Sequence, residues 1–238
     1  MRLAFTVEYH GTNFGGFQRQ KNSYTVQQAI EEAIEVVTKD RITINYSGRT
    51  DSGVHALNQV FDFKTEIIRK KRNWLDGINS NLPKSIYVKD LIEVPNEFNS
   101  RFSAISRTYT YIVYASKTKP TFFNDSVHWE TFPIDLNRIR SEAKSLIGMH
   151  DFSSFRSSSC NAKNPRKKIT NVEILNRNKF IFITITANAF LQNMMRIICG
   201  TLLDISKKEL KDSLSDIIHA KDRKKQEKHL VLRVYFFL

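Results

Sequence analysis

Residues 2–9 alternate apolar and polar side chains as a half-buried strand does, and a helical period follows from residue 26. Val26, Ala29, Ile30, Ala33, Ile34 and Val37 recur at three- and four-residue spacing, which gathers them into one stripe suited to packing on a sheet. Thr25 precedes that stripe with Gln28 three residues on, the order of a capping box. Ile42, Ile44 and Tyr46 then alternate before a turn from Gly48 to Gly53. Val60, Phe61 and Phe63 follow it, as in a hairpin with a long loop. Trp74, Leu75, Ile78 and Leu82 predict a second helix ended by Pro83, and residues 85–94 a fourth strand. The order is β-α-β-β-α-β.

Residues 104–238 repeat that order without repeating the letters. A strand is expected over Thr108–Ala115, a helix over Leu136–Ile147 closed by Gly148, and strands over Ile169–Leu175 and Phe180–Ala187. A helix near Leu191–Ile205 and a strand over Leu230–Phe237 complete it. Leu210, Leu214, Ile217 and Ile218 predict an extra amphipathic packing helix before the last strand. The fold class that follows is α+β. Two ferredoxin-like (RRM-like) units, 1–103 and 104–238, are expected to bring their antiparallel sheets together, with helices on one side.

Composition narrows what such a fold serves. No stretch approaches the roughly 20 apolar residues of a membrane span, and Met1–Phe5 leads directly into the strand pattern rather than a signal peptide, so a cytoplasmic protein is expected. Cys160 and Cys199 are too few and too far apart for a disulfide framework or a zinc site, and read as ordinary thiols. Lys and Arg number 37 against 24 Asp and Glu, a net charge of +13 that attracts polyanions. The excess is one-sided. Residues 1–103 hold 14 basic and 12 acidic side chains, leaving 23 and 12 for residues 104–238.

The densest unusual segment is Gly48-Arg49-Thr50-Asp51-Ser52-Gly53-Val54-His55-Ala56, where two glycines frame an Arg and an Asp between strands. Local spacing favours Asp51 as a turn former bonded to its own backbone. Arg49 shifts the balance slightly, since one cation beside one anion suits an RNA phosphate and a reacting sugar together. A metal-dependent nuclease would need clustered carboxylates, which Asp51 lacks. Asp62, between Phe61 and Phe63, reads as solvent-facing and structural, and His55 as a hydrogen-bonded residue beside the site.

Tyr109 and Tyr111 fall on one face of a strand, where an aromatic ring serves either the core or a stacked base. Arg196 sits among apolar residues of Phe190-Leu191-Gln192-Asn193-Met194-Met195-Arg196, and a cation there needs a partner, for which Asp51 is one candidate. Lys163, Arg166, Lys167 and Lys168 form a basic loop suited to phosphates or simply to water. The glycine-rich Tyr9–Gln18 segment lacks both nucleotide-binding patterns, so no nucleoside triphosphate or dinucleotide site is indicated.

In order, these segments resemble the tRNA pseudouridine synthase A family across nearly the whole chain. The markers are Tyr9-His10-Gly11 to Phe17-Gln18, Thr25-Val26-Gln27, Gly48–Asp51 to Val54-His55-Ala56, Arg107-Thr108-Tyr109, His150-Asp151-Phe152 and Phe190-Leu191 to Arg196. The resemblance implies isomerisation of uridine to pseudouridine at positions 38, 39 and 40 of the tRNA anticodon stem and loop. It implies Asp51 as catalytic aspartate, Tyr109 stacking on the target base, Arg196 as the salt-bridge partner of Asp51, and Arg49 as an aid to flipping. It implies no metal and no cofactor, and a homodimer with tRNA lying across both subunits. Before the last strand the family usually has a stretch containing Pro, Ala and Gly near the pocket; here Arg223-Lys224-Lys225-Gln226-Glu227-Lys228-His229 stands instead. From another class, a non-catalytic RNA-binding protein with two ferredoxin-like units is the rival, although no RNP1-like string appears.

Overall fold

The computed structural model describes residues 1–222 and the backbone of 235–237. Two compact units are present, Met1–Ile105 with Phe236–Leu238, and Ser106–Tyr235.

The N-terminal unit runs β1 (Arg2–Tyr9), α1 (Val26–Thr38), β2 (Asn45–Tyr46), β3 (His55–Lys64), α2 (Lys71–Asn79) and β4 (Ile86–Val94). Its strands pair antiparallel, β1 with both β3 and β4, and β2 with β3. That is the arrangement a ferredoxin-like order produces. The apolar stripe of α1 is buried throughout, and Phe5 stacks on Phe61 and Phe63 at 4.9 and 5.2 Å, with Trp74 of α2 edge-on to Phe63.

Three local expectations change. Thr25 caps α1 by accepting from Gln28 N–H at 3.3 Å, but the Gln28 side chain donates forward to Glu32 instead of back to the cap. The strand expected from Ile42 shrinks to two residues, because Ile44 N–H donates to Glu31 of α1 at 3.2 Å rather than to a strand. Helix α2 ends at Asn79, short of Pro83: the Asn79 side-chain amide both donates to and accepts from the Val88 backbone, at 2.9 and 2.8 Å.

The C-terminal unit runs β5 (Arg107–Ala115), β6 (His128–Glu130), α3 (Leu136–Ala143), β7 (Gly148–Asp151), β8 (Arg166–Arg177), β9 (Phe180–Ala187), α4 (Met194–Ser206) and α5 (Leu214–Ala220). Strands β5, β9, β8 and β7 pair in that order, each antiparallel to the next, and β6 pairs parallel with β5. Ile181, Ile183, Ile185 and Ala187 of β9 are buried while Phe180, Phe182, Thr184 and Thr186 are half-buried, so one face of this sheet is covered. Tyr109, Tyr111 and Val113 of β5 share the covered side.

Here α3 gives way to a 3-10 turn, Lys144–Leu146, and Gly148, at φ +117°, opens β7 rather than closing the helix. The basic group expected on a loop is divided: Arg166, Lys167 and Lys168 lie on β8, paired with Asp151, His150 and Met149 of β7, and Lys163 precedes the strand. The last strand, β10 (Tyr235–Phe237), pairs parallel with β3 through Phe236 and Phe237. The basic stretch 223–229 lies outside the described residues. Both units are mixed α+β, as the patterning implies, and among the described residues no helix is long and apolar enough to cross a membrane.

Candidate active site

The loop between β2 and β3 is fastened at both ends. On the β2 side, Ser47 N–H donates to Val60 carbonyl at 2.9 Å, Ser47 Oγ donates to Gln59 Oε1 at 3.0 Å, and the Gln59 amide donates to Gly48 carbonyl. On the β3 side, Val54 N–H donates to Asp51 carbonyl at 3.2 Å, which closes the turn at Gly53, whose φ is +76°. Between these anchors the exposure changes residue by residue: Arg49 is exposed, Thr50 buried, Asp51 half-buried and Ser52 exposed. The loop offers a cation and a carboxylate while burying the residue between them.

What holds that buried residue is the glycine-rich segment after β1. Phe17 N–H donates to Thr50 carbonyl at 3.1 Å, Ser52 Oγ to Phe14 carbonyl at 3.2 Å, and the Tyr9 hydroxyl lies 2.7 Å from Thr50 Oγ1. Glycine is demanded at two points. A Cβ on Gly11 would stand 1.9 Å from Val54 carbonyl oxygen, and one on Gly16, at φ +101°, 2.6 Å from Thr50 carbonyl oxygen. The same segment seats α1, since Gly16 and Phe17 carbonyls accept from Val26 and Gln27 N–H. His55 is buried, accepts from Gly11 N–H through Nδ1 at 3.1 Å, and has the His10 ring 4.1 Å away. Among these supporting groups the sequence signals His55, as a hydrogen-bonded residue beside the site, and the glycines, which mark close backbone approach.

Asp62 corrects a sequence expectation. Its carboxylate is buried rather than solvent-facing. It pairs with Arg2, and accepts from Ser100 N–H at 2.7 Å and from the Asn45 amide at 3.1 Å. Burial pushes this carboxyl up, but the Ser100, Asn45 and Arg2 donors outweigh it and hold it below the usual carboxylate range. It is a structural group of the N-terminal unit, held by donors from three separate segments.

The other predicted site residues lie in the C-terminal unit. Tyr109 on β5 is buried, with Phe190 edge-on at 4.8 Å. Arg196 lies in the first turn of α4 and is 8% exposed. The start of α4 is set by Asn193 in the left-handed region, φ 60°, whose carbonyl accepts from Ile197 N–H at 3.0 Å, and by Leu191 carbonyl, which accepts from Met194 N–H. Cys160 and Cys199 are buried free thiols, and burial pushes Cys199 well above its ordinary value. Among the described residues, no group of three or more His, Cys, Asp or Glu side chains is placed to hold a metal ion.

Comparison with known proteins fits this arrangement. The family model described as tRNA pseudouridine synthase matches residues 5–103 and 143–232. The chain is 40% identical over 222 residues to tRNA pseudouridine synthase A of Buchnera aphidicola subsp. Schizaphis graminum (strain Sg), covering 93% of this chain and 84% of that protein. It is 40% identical over 225 residues to the protein of the same name from Legionella pneumophila (strain Lens), covering 94% and 86%. To that of Hydrogenovibrio crunogenus (strain DSM 25203 / XCL-2) it is 36% identical over 222 residues, covering 93% and 85%. With a family match over most of its length and relatives at this identity, the chain belongs to the tRNA pseudouridine synthase family.

Proposed function

We propose that this protein isomerises uridine to pseudouridine in tRNA, at positions 38, 39 and 40 of the anticodon stem and loop, with Asp51 as its catalytic carboxylate. The observation that carries the reading is the fastening of Asp51: a half-buried carboxylate whose preceding residue is held at both backbone and side chain. A turn former needs no such support from a segment so distant in sequence. Family membership supplies the substrate and the reaction.

The chemistry suits one carboxylate. The reaction breaks the bond from C1′ of the ribose to N1 of uracil and joins C1′ to C5. The C5 proton leaves and N1 takes one up, so atoms and electrons balance without redox or phosphoryl transfer. An ionised Asp51 serves either as nucleophile to ribose or base, or as base toward a sugar proton. In this reading the uridine first leaves its stack at a cost of a few kcal/mol, offset by Arg49 at the phosphate and by the ring of Tyr109 on the base. Arg196 pairs with Asp51; a guanidinium buried to this degree needs a carboxylate or several carbonyls about it. The protein acts in the cytoplasm as a homodimer, with tRNA lying across both subunits.

Asp51→Asn tests the reading. The variant is expected to retain tRNA on a filter while tritium release from tRNA labelled at C5 of uridine falls to background. Sustained release overturns the assignment, and favours an RNA-binding role in which Asp51 only shapes its turn.

A further inference from the structure

Tyr9 ends β1 where the ladder with β3 slips: Val7 faces Gln59 and Tyr9 faces Ala56, so Leu57 and Asn58 together oppose Glu8. A bulge of this kind bends the pairing and re-aims the side chain beyond it. Here the re-aimed side chain is 4% exposed, packs against Phe17 with ring centres 5.9 Å apart, and brings its hydroxyl to Thr50 Oγ1 at 2.7 Å. Buried hydroxyls require partners, and this bond provides one to each residue.

Thr50 is thereby held twice, at Oγ1 by Tyr9 and at its carbonyl by Phe17 N–H. A β-branched residue has few χ1 choices, so fixing its oxygen and its carbonyl fixes the backbone that leads into Asp51. On the far side, Val54 N–H holds Asp51 carbonyl. We infer that Tyr9 is a positioning residue for the reaction, acting through Thr50 on the orientation of the Asp51 carboxylate. The inference rests on Asp51 being the catalytic group. Tyr9 is anchored in the sheet by pairing with Ala56 and Ile86, so its hydroxyl is a fixed post to which the loop is tied.

A carboxylate misplaced by a fraction of an ångström loses rate while its protein still folds and still binds. Tyr9→Phe and Thr50→Val are each expected to lower kcat about tenfold, because small misplacements of reacting groups cost one to two orders of magnitude. KM for tRNA stays close to that of the unaltered protein, and the melting temperature falls by only a few degrees, since each variant leaves one buried hydroxyl without this partner. The double variant is expected to be no slower than either single one, since both remove the same bond. Thr50→Ser keeps kcat near its original value when Tyr9 is present and not when combined with Tyr9→Phe. Asp51→Asn is assayed alongside. An inactive Asp51→Asn with an unchanged kcat for Tyr9→Phe overturns this inference alone. Single losses that multiply in the double variant, or that fall on KM, also overturn it. An active Asp51→Asn overturns the catalytic reading of Asp51 and this inference with it.

Discussion

Gly11 and Gly53 flank the same loop and constrain it for different reasons. At Gly11 the missing Cβ is a matter of space: Val54 carbonyl oxygen stands 1.9 Å and its carbon 2.6 Å from where that Cβ would sit, and both are backbone. At Gly53 the space is open, and the constraint is a φ of +76°. Gly11→Ala is expected to cost about 2–3 kcal/mol, as overpacking a rigid site does. It should also abolish activity, because Val54 N–H holds the Asp51 carbonyl. Gly53→Ala should cost only about 1–2 kcal/mol, the ordinary penalty for a left-handed L residue. Urea unfolding of the two variants ranks them, and a Gly53 variant less stable than the Gly11 variant contradicts the account. Sequence shows both glycines. It does not show the approach of Gly11 to Val54, which exists only once the end of β1 meets a loop far along the chain.

At the scale of elements, the Asp62 network shows how an alternation can be read correctly and interpreted wrongly. Phe61 and Phe63 on β3 face the core with Phe5, which puts Asp62 on the opposite face, as the period requires. That face is not open. Arg2 of β1 also donates to Asn96 carbonyl, and Ser100 N–H reaches Asp62, so residues 96–100 lie over it. The coverage comes from a connection with no periodicity of its own, and that is why sequence missed it. The folded-state pKa of Asp62 is lowered, so its contribution to stability is fully present above the unfolded value near 4. It is lost as pH falls through the lower folded value. Asp62→Asn should therefore cost about 3 kcal/mol at neutral pH, because Arg2 is left part-buried without its carboxylate. The dependence of stability on pH below about 4 should flatten in the same variant. Chemical unfolding from pH 3 to 7 measures both; an undiminished acid slope assigns that slope to other carboxylates. The long periodic elements, α1, β5, β8 and β9, were legible because periodicity defines them. The three-residue β6 and four-residue β7 are too short to show a period, and pairing alone makes them strands.

Across the whole molecule, charge is what a highly charged RNA senses at long range, and its placement refines what the counts suggest. Residues 104–238 carry 23 basic against 12 acidic side chains, so counterion release on binding tRNA should come mainly from that part of the chain. Within the cluster 163–168 the four cations are not equivalent. Lys163, Arg166 and Lys168 are exposed. Lys167 is half-buried, its ammonium donates to Asn164 carbonyl at 2.6 Å and to Arg166 carbonyl at 3.3 Å, and desolvation lowers its pKa. A cation already committed to its own backbone neutralises a phosphate poorly. Replacing Lys163, Arg166 and Lys168 by Gln is expected to reduce the slope of log K against log salt by about 2–3, at roughly 0.7–0.9 for each phosphate no longer neutralised. Lys167→Gln alone should leave the slope nearly unchanged, with any effect appearing as a local loosening where β8 begins. Filter binding of tRNA between about 50 and 200 mM salt, the range over which such slopes are read, separates the two variants. Equal effects from the two would show Lys167 neutralising phosphate despite its backbone bonds, and no effect from the triple replacement would assign the binding of tRNA phosphates to cations outside this cluster.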